Sequence, residues 1–232
     1  MKKLGIIGAM AVEVELLKSR MKNLSVEEKA GMQFFCGALN KLPVVVVQCG
    51  VGKVNASICT QVLCDCYSVT HIVNTGVAGS LKAELDIGDL VVSQDAVHHD
   101  MDVTYLSYPV GQVPGLDVLA FPADQMLIEA ALMAAQEVNP GHCALGTVAS
   151  GDQFVASKEK KAQILANTNA VCTEMEGAAI AHTAWRNQIP FVIIRAISDK
   201  ADHSAQMDYP TFEAIAAKRC AEVVLKLTEK LQ

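Results

Sequence analysis

Phe191-Val192-Ile193-Ile194-Arg195-Ala196-Ile197-Ser198-Asp199 is the stretch on which the fold turns. Its first four residues are apolar and rich in β-branched types, with no alternation of polar and apolar positions. That pattern suits a short strand buried on both faces, as in a parallel sheet. Similar runs recur at Leu4–Gly8, Val44–Gln48, Ile72–Thr75, Leu90–Ser93, Gly146–Ser150 and Ala170–Thr173. Helical patterns fall between them, at Ala11–Met21, Lys53–Cys66, Asp124–Glu137, Lys158–Asn167, Glu176–Asn187 and Thr211–Lys230. Alternating strands and helices predict an α/β fold, a three-layer αβα single domain over residues 1–232 with a central mixed, mostly parallel sheet. Ser25–Lys29 and Gly31–Leu39 alternate more and read as an early antiparallel hairpin. The stretch from His98 to Pro122 holds three prolines and two glycines. An irregular loop of that length is expected to work in the site or in an interface.

Composition narrows the function. Hydrophobic residues make up 51% of the 232 and charged ones 19%, which is ample for a core and too apolar for disorder. Aromatics are only 5%, so the core is expected to be aliphatic. Acidic residues outnumber basic ones 25 to 19, and no Lys/Arg block occurs. Nucleic acid and anionic membrane are therefore poor partners, and a small polar ligand is favoured. Mean hydropathy is +0.28. Even so, no apolar run approaches the roughly 18 residues of a membrane span. The start, Lys2-Lys3 and then Leu4–Gly8, is too short for a signal core and meets Glu13 and Glu15 at once. The eight cysteines lie mostly in apolar segments and form no CxxC pair. Buried reduced thiols in a cytoplasmic protein are expected.

Several motifs sit at strand ends, where open α/β sheets bind ligands. Gly5-Ile6-Ile7-Gly8-Ala9-Met10 lacks the GxGxxG spacing, and Gly50-Val51-Gly52-Lys53 lacks the length of a phosphate loop. Their glycines are expected to permit tight turns. Glu13, alone, reads as an acid complementing a helix dipole. Thr75-Gly76-Val77-Ala78-Gly79-Ser80 offers exposed backbone N–H groups and no cation. In Thr173-Glu174-Met175-Glu176, strand alternation would turn both glutamates to one side. Arg195 in a core strand needs a carboxylate partner, and Glu174 or Glu176 is available. Asp199, at a strand end in a partly dry cleft, is expected to have a raised pKa and to act as a proton donor. His98-His99-Asp100 with Asp102 fits no metal spacing and reads as a solvated loop.

Together these segments resemble the 5′-methylthioadenosine/S-adenosylhomocysteine nucleosidases of the purine nucleoside phosphorylase superfamily. The matching pieces are Gly5–Met10 with Glu13, Gly52-Lys53-Val54, Asn74-Thr75-Gly76 with Ala78-Gly79, and Asp102-Val103-Thr104. Ser150-Gly151-Asp152 with Phe154, Glu174-Met175-Glu176 and Arg195–Asp199 continue the match in order to the chain's end. The resemblance implies a nucleoside phosphorylase-like fold and cleavage of the adenine N-ribosidic bond of methylthioadenosine, S-adenosylhomocysteine and 5′-deoxyadenosine. It implies no metal and no cofactor, and a place in methionine salvage and methyl-cycle recycling.

By the same resemblance, Asp199 is the acid at N7 of adenine, helped by Ser198, and Glu13 the base that activates water. Glu176 holds the ribose hydroxyls beside Met175, with Arg195, Met10 and Val51 also in the substrate site. Phe154 stacks on adenine, the Val155 backbone reads its edge, and Ala78-Gly79 border it. Tyr209, where the family often has Phe, lies over the sugar. Val103, Leu106 and Pro114 reach the neighbouring subunit's 5′-substituent pocket, which implies a homodimer. Val77 stands where many members have serine near the ribose and water.

Three rivals remain at this level. A phosphorylase of the same fold is disfavoured, since Asn74 and Val77 replace an arginine and a serine of its bacterial hexameric branch. An aminodeoxyfutalosine hydrolase shares the catalytic residues. A non-catalytic nucleoside-binding module has no use for a water-activating carboxylate such as Glu13.

Overall fold

The structure is a computed structural model that describes residues 2–202 and 204–232. Its elements follow as β1 (Leu4–Gly8), α1 (Ala11–Arg20), β2 (Lys22–Lys29), β3 (Met32–Leu39), β4 (Leu42–Gln48) and α2 (Lys53–Tyr67). Next come β5 (His71–Ser80), β6 (Leu90–His98), a 3-10 turn (Thr104–Leu106), β7 (Phe121–Pro122), α3 (Gln125–Val138) and β8 (Cys143–Ser150). The chain ends with α4 (Lys158–Thr168), β9 (Cys172–Glu174), α5 (Gly177–Arg186), β10 (Phe191–Asp199) and α6 (Ala205–Lys230).

The sheet is mixed. Parallel ladders join β1 to β4 and β5, β5 to β10, β6 to β8 and β8 to β9, and form its spine. Antiparallel ladders supply the β2–β3–β4 edge, the short β7, and the β5–β9 and β6–β10 joins. Because β10 pairs with both β5 and β6, half of the sheet curls and closes, and only the β1–β4–β3–β2 half stays open. Leu4, Ile6 and Ile7 of β1 and every residue of β10 are buried, as strands covered on both faces must be. One apolar layer includes Leu17 of α1, Leu127 of α3 and Val224 of α6. The other includes Leu63 of α2 and Ile180 of α5. This is the αβα layering expected.

Three departures have physical reasons. α6 begins six residues before the expected Thr211 and carries Pro210 inside it. Proline removes one N–H yet leaves the flanking turns free to bond, so it did not stop this helix. The glycines Gly50 and Gly52 do hold positive φ, 85° and 98°, in the β4–α2 turn. Gly5 and Gly8 instead serve close packing, since a Cβ there would meet Leu63, or Val14 and Glu13. Finally, His98 and His99 are buried, not solvated. His98 ends β6 and meets the rings of Phe121 and His182 at centroid distances of 5.9 and 5.7 Å. Burial drives the His98 pKa down to about 4. Of the eight cysteines, all free, Cys49, Cys59, Cys172 and Cys220 are buried, while Cys66 is exposed.

Candidate active site

The carboxyl ends of β1, β4, β5, β9 and β10 converge on a cavity of about 590 Å³, its open mouth included. The turn after β1 places Met10 as the cap of α1 and Glu13 one turn in. Glu13 is 3% exposed, and its carboxylate does not face water as a dipole acid would. One oxygen accepts the Ala9 and Met10 N–H groups at 2.7 and 2.9 Å, and the other accepts Val77 N–H at 3.1 Å. Burial raises its pKa, while the Arg195 guanidinium opposes the rise. Glycine at position 76 allows this approach, because a Cβ there would fall within 3.0 Å of both Glu13 and Arg195.

Asp199 ends β10 on the other side of the cavity. Ser198 donates its hydroxyl to one Asp199 oxygen at 2.9 Å, and Ala201 N–H donates to the other at 2.8 Å. Gly79 lets the carboxylate lie against the β5 backbone. Burial raises this pKa too, against those two hydrogen bonds. Two acids thus enter one cavity, one from helix α1 and one from strand β10, each with its own donors.

Glu176 caps α5, and its Oε1 accepts the Gly52 N–H at 2.8 Å. Burial first, then the neighbouring Glu174 carboxylate, push its pKa up to about 8. The two glutamates do not share a role by strand alternation, because β9 stops at Glu174. Glu174 turns to Arg195, which is thereby its ion-pair partner.

Of the residues expected around substrate, Met10, Val51, Ala78, Gly79, Phe154, Val155, Met175, Ser198 and Tyr209 line the cavity with the three acids. Phe154 is half exposed at the mouth, and its ring meets Tyr209 edge-to-face at 5.5 Å. Tyr209 is held by its hydroxyl, which donates to Glu213 at 3.0 Å. Arg195 is not on the wall. It is 1% exposed, and it donates to Glu174 and to Asn74 behind the carboxylates. A buried cation takes the charges nearest to it, and here those are protein groups. Val103, Leu106 and Pro114 lie in the outer loop and do not line this cavity.

Sequence reasoning missed two lining residues of note. Thr173 lies on the wall with a buried hydroxyl that has no hydrogen-bond partner among the described groups. Gln153 precedes the aromatic Phe154 on the rim. Neither sits in a pattern that marks it apart from a strand residue or a loop amide. No group of three or more His, Cys, Asp or Glu with the arrangement to hold a metal occurs among the described residues.

The phosphorylase superfamily profile matches residues 3–229. A 5′-methylthioadenosine/S-adenosylhomocysteine nucleosidase of Geobacillus thermodenitrificans (strain NG80-2) is 40% identical over 231 residues, 99% of this chain and 98% of that one. The chain belongs to this nucleosidase family of the phosphorylase superfamily. The Neisseria meningitidis nucleosidase, in complex with methylthio-immucillin-A, superposes with a TM-score of 0.96 at 38% identity, covering 99% of this chain and all of the other. A futalosine hydrolase of Helicobacter pylori reaches 0.94 at 30% identity, covering 99% of this chain and 98% of its own. Within the family fold, the member described here sets Glu13 and Glu176 in the field of the Arg195–Glu174 pair, and Asp199 beside Ser198.

Proposed function

We propose that this chain is a hydrolase, working as one domain over residues 1–232, that cleaves the adenine N-ribosidic bond of 5′-methylthioadenosine and S-adenosylhomocysteine, and of 5′-deoxyadenosine. The observation that carries the reading is the pair of buried acids, Glu13 and Asp199, with raised pKa values and separate donor sets in one cavity. Cleavage through an oxocarbenium-like ribosyl cation needs a protonated leaving group and a water held opposite it. Asp199, whose hold on a proton burial strengthens, gives its proton to N7 of adenine. Glu13 takes a proton from the attacking water, and its three backbone donors fix the carboxylate for that task. Glu176 accepts from the ribose hydroxyls and, in its ionised form, stabilises the developing positive charge. Phe154 stacks on the base, and the Val155 backbone reads its edge. Neither cofactor nor metal enters these steps.

The 5′-alkylthio group needs an apolar wall. Val103, Leu106 and Pro114 supply it to the other subunit of a homodimer. Exposed Val54 and Ile58 of α2, with Tyr105 and Leu106, support such an interface. The reaction belongs in the cytoplasm, in methionine salvage and methyl-cycle recycling. A release assay for free adenine from methylthioadenosine, run with and without phosphate, tests the hydrolase. Turnover without phosphate is expected, and a strict phosphate requirement would make the chain a phosphorylase. Asn74 argues against that outcome, because its amide is buried and bonded to Ile7 and Arg195, with no cationic donor for phosphate. Aminodeoxyfutalosine as competitor in the same assay ranks the remaining substrate.

A further inference from the structure

At the inner wall of the cavity, Glu174 gathers an unusual number of donors. Its carboxylate accepts from the Arg195 guanidinium and the Ser150 hydroxyl, from Glu176 N–H at 3.1 Å, and from Gly177 N–H at 2.8 and 3.0 Å. Ser150 is itself fixed, since its oxygen accepts Ala178 N–H at 2.6 Å. Ser150 is fully buried and does not line the cavity.

The consequence is a shared anchor. The three N–H groups at the start of α5 belong to the backbone that carries Glu176. The guanidinium belongs to Arg195, which stands within charge range of Glu13 across Gly76. A buried carboxylate so fully bonded cannot drift, and neither can the groups tied to it.

We propose that Glu174, locked by Ser150, is the positioning residue that sets the two working glutamates relative to each other, Glu176 through the α5 backbone and Glu13 through Arg195. This deepens the hydrolase reading and rests on it. Glu174 need not touch the substrate to do so. Replacing its charge changes what Arg195 faces, so the effect must reach the ionisation of both glutamates.

The titratable groups facing Glu13 and Glu176 are Arg195 on β10, Glu174 on β9, Cys49 after β4, and Cys220 and Tyr209 on α6. Only Glu174 changes in Glu174→Gln. Arg195 is then left to bear on Glu13 and Glu176 alone, and both should ionise at lower pH. The acidic limb of the kcat/KM profile is expected to move down by roughly one pH unit, with kcat/KM at its plateau lowered at least about tenfold. A merely structural role would lower the melting temperature and leave the limb in place, and an unmoved limb would overturn the proposal.

Glu174→Gln leaves an amide facing donors, which costs stability, so Ser150→Ala is the second arm. It keeps every charge and removes the hydroxyl that bonds Glu174 and the Ala178 N–H. The folded variant, assayed well below its melting temperature, should lose roughly 3- to 10-fold in kcat/KM. Wild-type kinetics in Ser150→Ala would also overturn the proposal. If the unsubstituted protein releases no adenine, the hydrolase reading has failed; if it does and the variants match it, only the positioning role has.

Discussion

At the residue scale, burial gives Asp199 and Glu13 the same direction of pKa shift but opposite work. Asp199 must hold its proton, so activity falls as pH rises through its raised pKa. Glu13 must have lost its proton, so activity falls as pH drops through its own. Asp199→Asn keeps the size and cannot donate an acidic proton. It should lower kcat by at least about a hundredfold, the low end of a general acid's contribution, with only modest weakening of an uncharged substrate analogue. Glu13→Gln should lower kcat as well and remove its share of the acidic limb, leaving that of Glu176. A pH–rate profile of both variants decides this, and near-normal turnover in Asp199→Asn would mean that the proton comes from elsewhere. Asp199 was legible because a carboxylate at the end of an apolar strand is out of place without a task. Glu13 alone read as a helix-dipole acid and was marked only by the family resemblance. Thr173 was not legible, since a threonine in a strand is ordinary. Arg195 was half legible: its residue type demanded a partner, but only the fold could say that Glu174, not substrate, lies against it.

At the scale of elements, the site depends on backbone that comes closer than side chains allow. β5 passes between α1 and β10, and at Gly76 the space a methyl would need is taken by Glu13 and Arg195. Gly76→Ala should therefore push the two apart. The expected cost is about 1–3 kcal/mol of stability, as for other overpacked sites, and at least about a tenfold fall in kcat. Urea unfolding with steady-state kinetics checks both, and an alanine variant with unchanged kcat would show that the Glu13–Arg195 approach is incidental. The strands and helices were readable from the sequence because burial on both faces leaves an uninterrupted apolar run, and β10 is the plainest case. The curl of the sheet was not, because a strand such as β10 carries no mark of pairing with both β5 and β6, which lie far from it in sequence. The burial of His98 and His99 was hidden for a related reason. Histidine is common in loops, and the aromatic neighbours Phe121 and His182 come from distant elements.

For the whole molecule, assembly and pH stability are the two consequences. Lys53 donates to Asp100 at 2.6 Å, which ties the start of α2 to the segment that leads into the outer loop. Val54 and Ile58, just after Lys53, and Tyr105 and Leu106, just after Asp100, are exposed. A dimer at micromolar concentration is expected in sedimentation, and Leu106→Asp should yield monomers with a raised KM for methylthioadenosine. A wild-type monomer with full activity would remove the loop from the site. The stability argument starts from groups whose proton binding differs between folded and unfolded chains. The buried histidines, His98 foremost, bind protons more weakly when folded, so they make stability rise with pH from about 4 to their ordinary value near 6.5. Glu176 has the opposite sign: its folded pKa of about 8 means that the folded chain keeps a proton the unfolded chain has lost. Its contribution is full below the ordinary carboxylate range and is lost as pH rises toward 8. Below about 6.5 the two sets oppose each other. Above it the unfolded histidines lose their remaining protons, so the opposition to Glu176 fades. Unfolding free energy should therefore decline between pH 6.5 and 8, by at most about 1.4 kcal/mol per pH unit for one proton. Urea titrations at several pH values in this window, on the wild type and on Glu176→Gln, make the test. The glutamine variant should be flat where the wild type falls, and a wild type that gains stability across the window would mean that Glu176 is already ionised in the free protein.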